Sequence, residues 1–150
     1  MKLEIKKTTC DELLDLEKRN SKTPDHVRFT PDQAAWIEKT QYVRSIFIDG
    51  KLMACGGVNK YWENRGEAWA IFDPNCRMYF LALHKAFLKL IDGCPFIRVE
   101  ASVDCDFRAG HRWMKALGFQ MEAPRLRHFL PNGHDAALYS KVKNGVTANV

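Results

Sequence analysis

Seven basic side chains crowd the last third of the chain: Arg108, His111, Arg112, Lys115, Arg125, Arg127 and His128. Arg108, Arg112 and Lys115 fall at successive steps of four and three, so a helix there would line them along one face. Such a face could meet a phosphate or an acidic partner, or lie solvated. Nucleic acid is disfavoured, because the formal net charge is only +5 and no nucleic-acid motif accompanies it. His84 stands at the edge of an apolar helical stripe, where a hydrogen-bonded structural histidine is the usual occupant. Five cysteines, Cys10, Cys55, Cys76, Cys94 and Cys105, are an odd number with no C-x-x-C pair and no histidine pair at ligand spacing. They read as reduced, mostly buried small hydrophobes, with no metal site among them.

The elements that must position these groups belong to one soluble globular domain. Of the 150 residues, 46% are hydrophobic and 11% aromatic. A chain of this length buries roughly 68 to 70% of its unfolded surface and needs neither disulfide nor metal for stability. No apolar run approaches the roughly 18 residues of a membrane span. The start, MKLEIKKTT, alternates charge and apolar residues unlike a signal peptide, so the expected location is the cytosol.

Leu3 and Ile5 alternate with charges as a first strand, and Thr9 to Glu12 forms a capping box ahead of a helix reaching about Arg19. Residues 20 to 29 read as a loop. Thr30-Pro31-Asp32-Gln33 then opens a second helix with an N-cap, a first-turn proline and a third-position Gln. Between Val43 and Val58, Asp49-Gly50 separates two β-rich runs and predicts a hairpin. Glu67 to Phe72 is a further strand, followed by Asp73-Pro74 as N-cap and first helical residue of a helix from Asn75 to Asp92. Its apolar face would hold Phe80, Leu83, Phe87, Leu90 and Ile91, and Gly93 and Pro95 would end it. Phe96 to Val103 alternates as a strand, Asp106 is placed to cap a helix from Phe107 to Leu117, and Gly118 takes the C′ position. Strands at Arg125–Leu130 and Asp135–Val142 flank an Asn132-Gly133 turn, leaving a polar tail from Lys143. The order β-α-α-β-β-β-α-β-α-β-β, with hairpins outnumbering crossovers, predicts an α+β domain over 1–142. Its sheet would be mixed and mainly antiparallel, with helices on both faces.

That order, with His111 to Phe119 (HRWMKALGF) closing a helix on Leu-Gly-Phe, resembles the GNAT superfamily of N-acetyltransferases. More narrowly, the stretch RVEASVDCDFRAGHRWMKALGFQMEA and the hairpin after it look like the GNAT-like proteins of tailed phages. The resemblance implies a sheet splayed between the fourth and fifth strands, with acetyl-CoA in the gap. Pantetheine would pair with the fourth-strand backbone at Ile71 and Phe72, while residues 73 to 77 would face the diphosphate. Asn75, Cys76 and Arg77 are the implied contacts there, and Arg112 is the implied contact for the 3′-phosphate of CoA. A helix N-terminus suits such an anion through its unpaired N–H groups and dipole. Glu67 is the implied base for the acceptor amine, acting through water, and partial burial beside Trp69 and Ile71 would raise its pKa.

Two departures from the family pattern accompany the likeness. The usual Gln/Arg-x-x-Gly-x-Gly/Ala loop is replaced by Asp73-Pro74-Asn75-Cys76-Arg77-Met78, which contains no glycine, removes one N–H at Pro74 and brings a carboxylate toward the diphosphate. The Tyr that many members use to protonate the departing thiolate is absent, its neighbourhood being Trp113-Met114-Lys115; His111 or Tyr139 are the alternatives. Two readings follow. One is an acetyl-CoA-dependent N-acetyltransferase acting on a primary amine. The other is an inactive phage-type GNAT-like protein with a structural, assembly or host-protein-binding role, met by an acidic partner in the host cytoplasm or the virion.

Overall fold

A computed structural model describes residues 1–20 and 28–143; most of the expected 20–29 loop and of the tail after Lys143 lies outside the described residues. The elements follow the expected order: β1 (Leu3–Lys7), α1 (Cys10–Arg19), α2 (Pro31–Thr40), β2 (Tyr42–Ile48), β3 (Lys51–Trp62), β4 (Arg65–Phe72), a 3₁₀ turn (Cys76–Tyr79), α3 (Phe80–Gly93), β5 (Arg98–Asp104), α4 (Arg108–Ala116), β6 (Gln120–Leu126) and β7 (Ala136–Val142). The strands form a seven-stranded sheet in the order β1-β2-β3-β4-β5-β7-β6. β1 with β2, β2 with β3, β5 with β7 and β6 with β7 pair antiparallel, and β4 with β5 pairs parallel. The described residues gather into two compact units, one drawn from 1–59 and 69–94, the other from 60–68 and from residue 95 onward.

In the first unit, local chemistry sets the helix starts. Thr9 with Glu12, and Thr30 with Gln33, each exchange side-chain and backbone bonds as complete capping boxes. The β2–β3 hairpin turns at Asp49 and Gly50, both with positive φ, as a two-residue turn of this kind demands. Leu13 and Leu16 of α1 and Ala34 and Ile37 of α2 pack with Val43, Leu52, Cys55 and Ile71 on one face of the strands. α3 takes the opposite face, where Phe87 lies against Gly56 so closely that a Cβ built at Gly56 would stand 2.1 Å from the ring.

The starts of α3 and α4 differ from the sequence reading. α3 begins at Phe80 rather than Asn75, because the chain leaves Asp73 through a tighter 3₁₀ turn. Leu83, Phe87, Leu90 and Ile91 are buried as expected, but Phe80, at the first position of the helix, is exposed. Asp106 does not cap α4: its N-cap is Phe107, without a side-chain bond, and Asp106 instead gives its own N–H to Asp104 Oδ1 at 2.9 Å.

The second unit also moves a strand. β6 runs Gln120–Leu126 instead of Arg125–Leu130, with Pro124 inside it, which is tolerated because β6 is the edge of the sheet. α4 ends as its sequence predicts, with Gly118 N–H to Lys115 C=O (3.0 Å) and Phe119 N–H to Met114 C=O (2.9 Å) forming a Schellman closure.

The close approach at Gly56 gives a test of this packing. Gly56→Ala should destabilise the protein by about 1–3 kcal/mol through overpacking against Phe87, measured by urea denaturation. The double variant with Phe87→Leu should regain part of that loss.

Candidate functional site

The implied diphosphate segment lies at the corner that follows β4 in the first unit, and its geometry is fixed from beneath. Asp73 is only 3% exposed. Its Oδ2 accepts from Arg19 Nη1 at 2.9 Å, while the same nitrogen donates to the Leu52 carbonyl at 2.7 Å and Arg19 Nη2 reaches Asp15. Asp73 N–H donates to the Met53 carbonyl at 2.8 Å, and Asn20 donates its side-chain amide to the Phe72 carbonyl. The carboxylate expected to face a diphosphate therefore points inward to a guanidinium. Two amides of the same corner are also engaged. Asn75 N–H donates to Asp73 Oδ1 at 2.8 Å and Cys76 N–H to the Asp73 carbonyl at 3.0 Å.

Of the other residues implied for the cofactor, Ile71 is buried in the core and Phe72 is half-buried with its ring 5.5 Å from that of Phe87. Ile71 has only its backbone to offer a ligand, and the Phe72 carbonyl already accepts from Asn20. Arg77 is exposed, and Cys76 is half-buried with its thiol pKa raised by burial. Beside them, Trp69 donates its indole N–H to Asn59 Oδ1 at 3.0 Å and meets Phe29 edge to face.

Glu67 belongs to the second unit, in the part of β4 paired with β5 through Arg65↔Arg98, Gly66↔Val99 and Glu67↔Glu100. It is half-buried and accepts a short hydrogen bond from the Tyr61 hydroxyl. That bond, together with burial, pushes the Tyr61 pKa up to about 12, so Tyr61 remains a donor throughout the physiological range. Tyr61 lies outside the sequence reading, because β3 runs on to Trp62 and β4 starts at Arg65, beyond the strand limits that the sequence predicts.

The Arg65 guanidinium lies 4.6 Å from the ring centres of both Tyr61 and Trp62 and pairs with buried Glu100. Glu100 also takes Arg98, which continues to Glu122, and Ser140 donates to Glu122. The Arg65 bond, more than the Arg98 bond, holds the Glu100 carboxyl below the usual carboxylate range against the opposing effect of burial. Arg98 and then Ser140 bring Glu122 down to about 2.

His111 and Tyr139 are brought together, but with each other as partners. His111 Nε2 is 3.1 Å from the Cys105 carbonyl, which can only accept, so this nitrogen carries the proton. Nδ1 then accepts from the Tyr139 hydroxyl at 2.7 Å. Tyr139 is fully buried, and burial raises its pKa. The pair ties α4 to β7 and to Cys105, just after β5, an arrangement suited to holding the unit together. Arg112 is exposed on α4, as are Arg108 and Lys115, while Arg125 pairs with Asp135 at 2.6 Å. His84 is half-buried. All five cysteines are free; Cys55 and Cys94 are buried, the other three half-buried, and burial pushes Cys55 up to about 12, far from thiolate chemistry. Asp104, Asp106 and His134 bring one ligand atom each within 4.8 Å of one another. There Asp104 is already used, accepting from Asp106 N–H and lying 2.6 Å from His134 Nδ1.

No protein-family model matches the sequence, and no curated protein matches it. Solved structures do. Ard1 from Thermoplasma volcanium superposes with a TM-score of 0.78 at 16% identity, covering 95% of this chain and 98% of that one. The ribosomal-protein-S18-alanine N-acetyltransferase from Escherichia coli gives 0.76 at 14% identity over 99% of both chains. YncA from Salmonella typhimurium, solved with its cofactor acetyl-CoA, gives 0.76 at 13% identity over 97% of this chain and 96% of that one. The chain therefore has the GNAT acetyltransferase fold, with the mixed, mostly antiparallel sheet anticipated from element order.

Two tests follow from these ion pairs. Asp73→Asn leaves Arg19 without its buried counter-charge and should destabilise by about 3 kcal/mol, whereas Arg19→Met with Asp73→Leu should lose less; thermal and urea unfolding of the three proteins measures this. For Glu122 the sign follows from its depressed folded value. Its contribution is present above the ordinary carboxylate pKa of 4.5 and lost as pH falls through about 2. Glu122→Gln should flatten the stability profile in that window while changing little of its slope near neutrality, read by urea midpoints across pH.

Proposed function

We propose that the protein is an acyl-CoA N-acetyltransferase acting on a primary amine, with acetyl-CoA as donor and Glu67 as the base. The observation that carries this is the Glu67–Tyr61 pair, a half-buried carboxylate held by a hydroxyl on a strand whose register with β5 ends at that residue. β4 itself runs five residues further, to Phe72, and offers backbone groups of the kind a pantetheine arm can pair with. Bound acetyl-CoA would supply the electrophilic thioester carbonyl. Glu67 would take the ammonium proton through water, and Tyr61, donating to the carboxylate, would hold it in place. Arg77 and Arg112 are the exposed cations proposed for the phosphates. The chemistry of the fit is uneven: the β4 backbone suits the cofactor, whereas the Asn75 and Cys76 amides already serve Asp73 and add little to a diphosphate cradle. Weak cofactor affinity is the corresponding expectation.

One solved protein of this fold is named for acetylation of a ribosomal-protein alanine, which makes a protein N-terminal amine the first acceptor to try. A second reading, the non-catalytic, partner-binding role of the phage-type proteins, is favoured by the same engaged amides and by the absence of a free proton donor at His111 and Tyr139.

Calorimetric titration of acetyl-CoA, with CoA and ATP as controls, separates the two. Selective binding supports the transferase; no heat at about millimolar cofactor supports the second reading. If turnover is found, Glu67→Gln should lower it roughly 10²-fold with cofactor affinity unchanged, and an unchanged rate would remove Glu67 from the mechanism. Tyr61→Phe should lower the rate less, since it changes the hydrogen bonding of the base rather than the base itself.

A further inference from the structure

The first unit carries a groove of about 410 Å³ between β1, at the open edge of the sheet, and the start of α3. Leu3, Met78, Leu81 and Ala82 form much of its apolar lining, and Lys85 and Lys89, one helical turn apart, stand on its rim. Met78 is 78% exposed and Leu81 69%, with exposed Phe80 between them in sequence. Large apolar side chains left in water on one side of a helix mark surfaces that are covered when the protein acts. Flexible methionine suits a surface that must fit a partner's side chains.

Charge decides what kind of partner fits. No carboxylate lines the groove. Some cations of this unit are matched, Lys2 and Lys6 each 3.5 Å from Glu4 and Arg19 by two aspartates. Lys85 and Lys89 have no ion pair among the described residues. Two lysines beside an apolar floor complement an amphipathic segment with apolar residues at one-turn spacing and Asp or Glu flanking them.

A second copy fits less well, because each copy adds a net charge of +5. The acidic helix α1, with Asp11, Glu12, Asp15 and Glu17, already buries Leu13 and Leu16 in its own core. A lipid surface is also a poorer match, since the apolar residues line a concavity.

We infer that the β1–α3 groove is a docking site for an acidic amphipathic helix of a partner protein, a role separate from acetyl transfer. The probe is a fluorescein-labelled synthetic helix with Leu at one-turn spacing and Glu at the flanking positions, titrated by anisotropy into the full chain. A scrambled peptide of the same composition is the control. Binding should be tighter than that of the scrambled peptide by roughly 10-fold or more and should weaken as salt is raised. Leu81→Glu should abolish it. Lys85→Glu with Lys89→Glu should also abolish it, and should restore affinity toward a peptide in which Lys replaces Glu. Both positions are exposed, and circular dichroism verifies that the variants fold. The inference is overturned if the designed peptide fails to bind at about millimolar protein, if the scrambled peptide binds equally, or if Leu81→Glu leaves affinity unchanged. It is likewise overturned if Leu81 governs self-association in sedimentation, or binding to phosphatidylserine vesicles, while peptide binding is absent.

Discussion

Arg19 and Asp73 form the contact on which the first unit turns. Arg19 ends α1 and Asp73 follows β4, and between them they also hold the Leu52 and Met53 carbonyls of β3. A carboxylate as buried as Asp73 would be unfavourable alone, because desolvation penalises its charge by several kcal/mol. The guanidinium offsets this through a direct charged hydrogen bond to one carboxylate oxygen, the Asn75 N–H donates to the other, and the Cys76 N–H goes to the Asp73 backbone carbonyl. One ion pair thus joins a helix end, two strands and the corner that leads to α3.

The same economy shapes what the corner can bind. A loop that presents its amides outward to an anion cannot also present them inward to an aspartate. Here they go inward, and the chain then tightens into a 3₁₀ turn before α3 starts at Phe80. Binding strength for a diphosphate would consequently depend on exposed side chains such as Arg77, which are solvated and screened, more than on a preformed backbone cradle. Rigidity at this corner and generosity toward phosphate draw on the same few donors.

Much of the architecture was legible because its signals are local. Thr9 with Glu12 and Thr30 with Gln33 bond within four residues, and the Asp49-Gly50 turn and the Gly118 closure depend on their own backbone angles. What escaped was set by distant partners. Asp73-Pro74 looks the same before an α-helix as before a 3₁₀ turn, and the partner that buries Asp73 lies 54 residues away. Pro124 disguises the beginning of β6, which only its edge position permits. The candidate base Glu67 could be picked out, but Tyr61 could not, since that pairing requires knowing how far β3 extends toward Trp62. His111 and Tyr139, each a conceivable proton carrier by type, satisfy one another across 28 residues.

Net charge illustrates the same boundary. A value of +5 predicts affinity for anions without saying where it acts. In the folded chain many cations are matched, as with Arg65 and Arg98 around Glu100 and Arg125 on Asp135, so the excess appears on particular surfaces. On α4, Arg108, Arg112 and Lys115 stand in solvent, where an ion pair contributes little after screening. Lys85 and Lys89 differ because they border an apolar groove whose occupant would exclude water from their neighbourhood. Charges beside a surface that becomes dry on binding discriminate between partners more sharply than charges that remain wet. The position of a lysine relative to Leu81 and Met78 therefore matters more to recognition than the sum of charges over the chain.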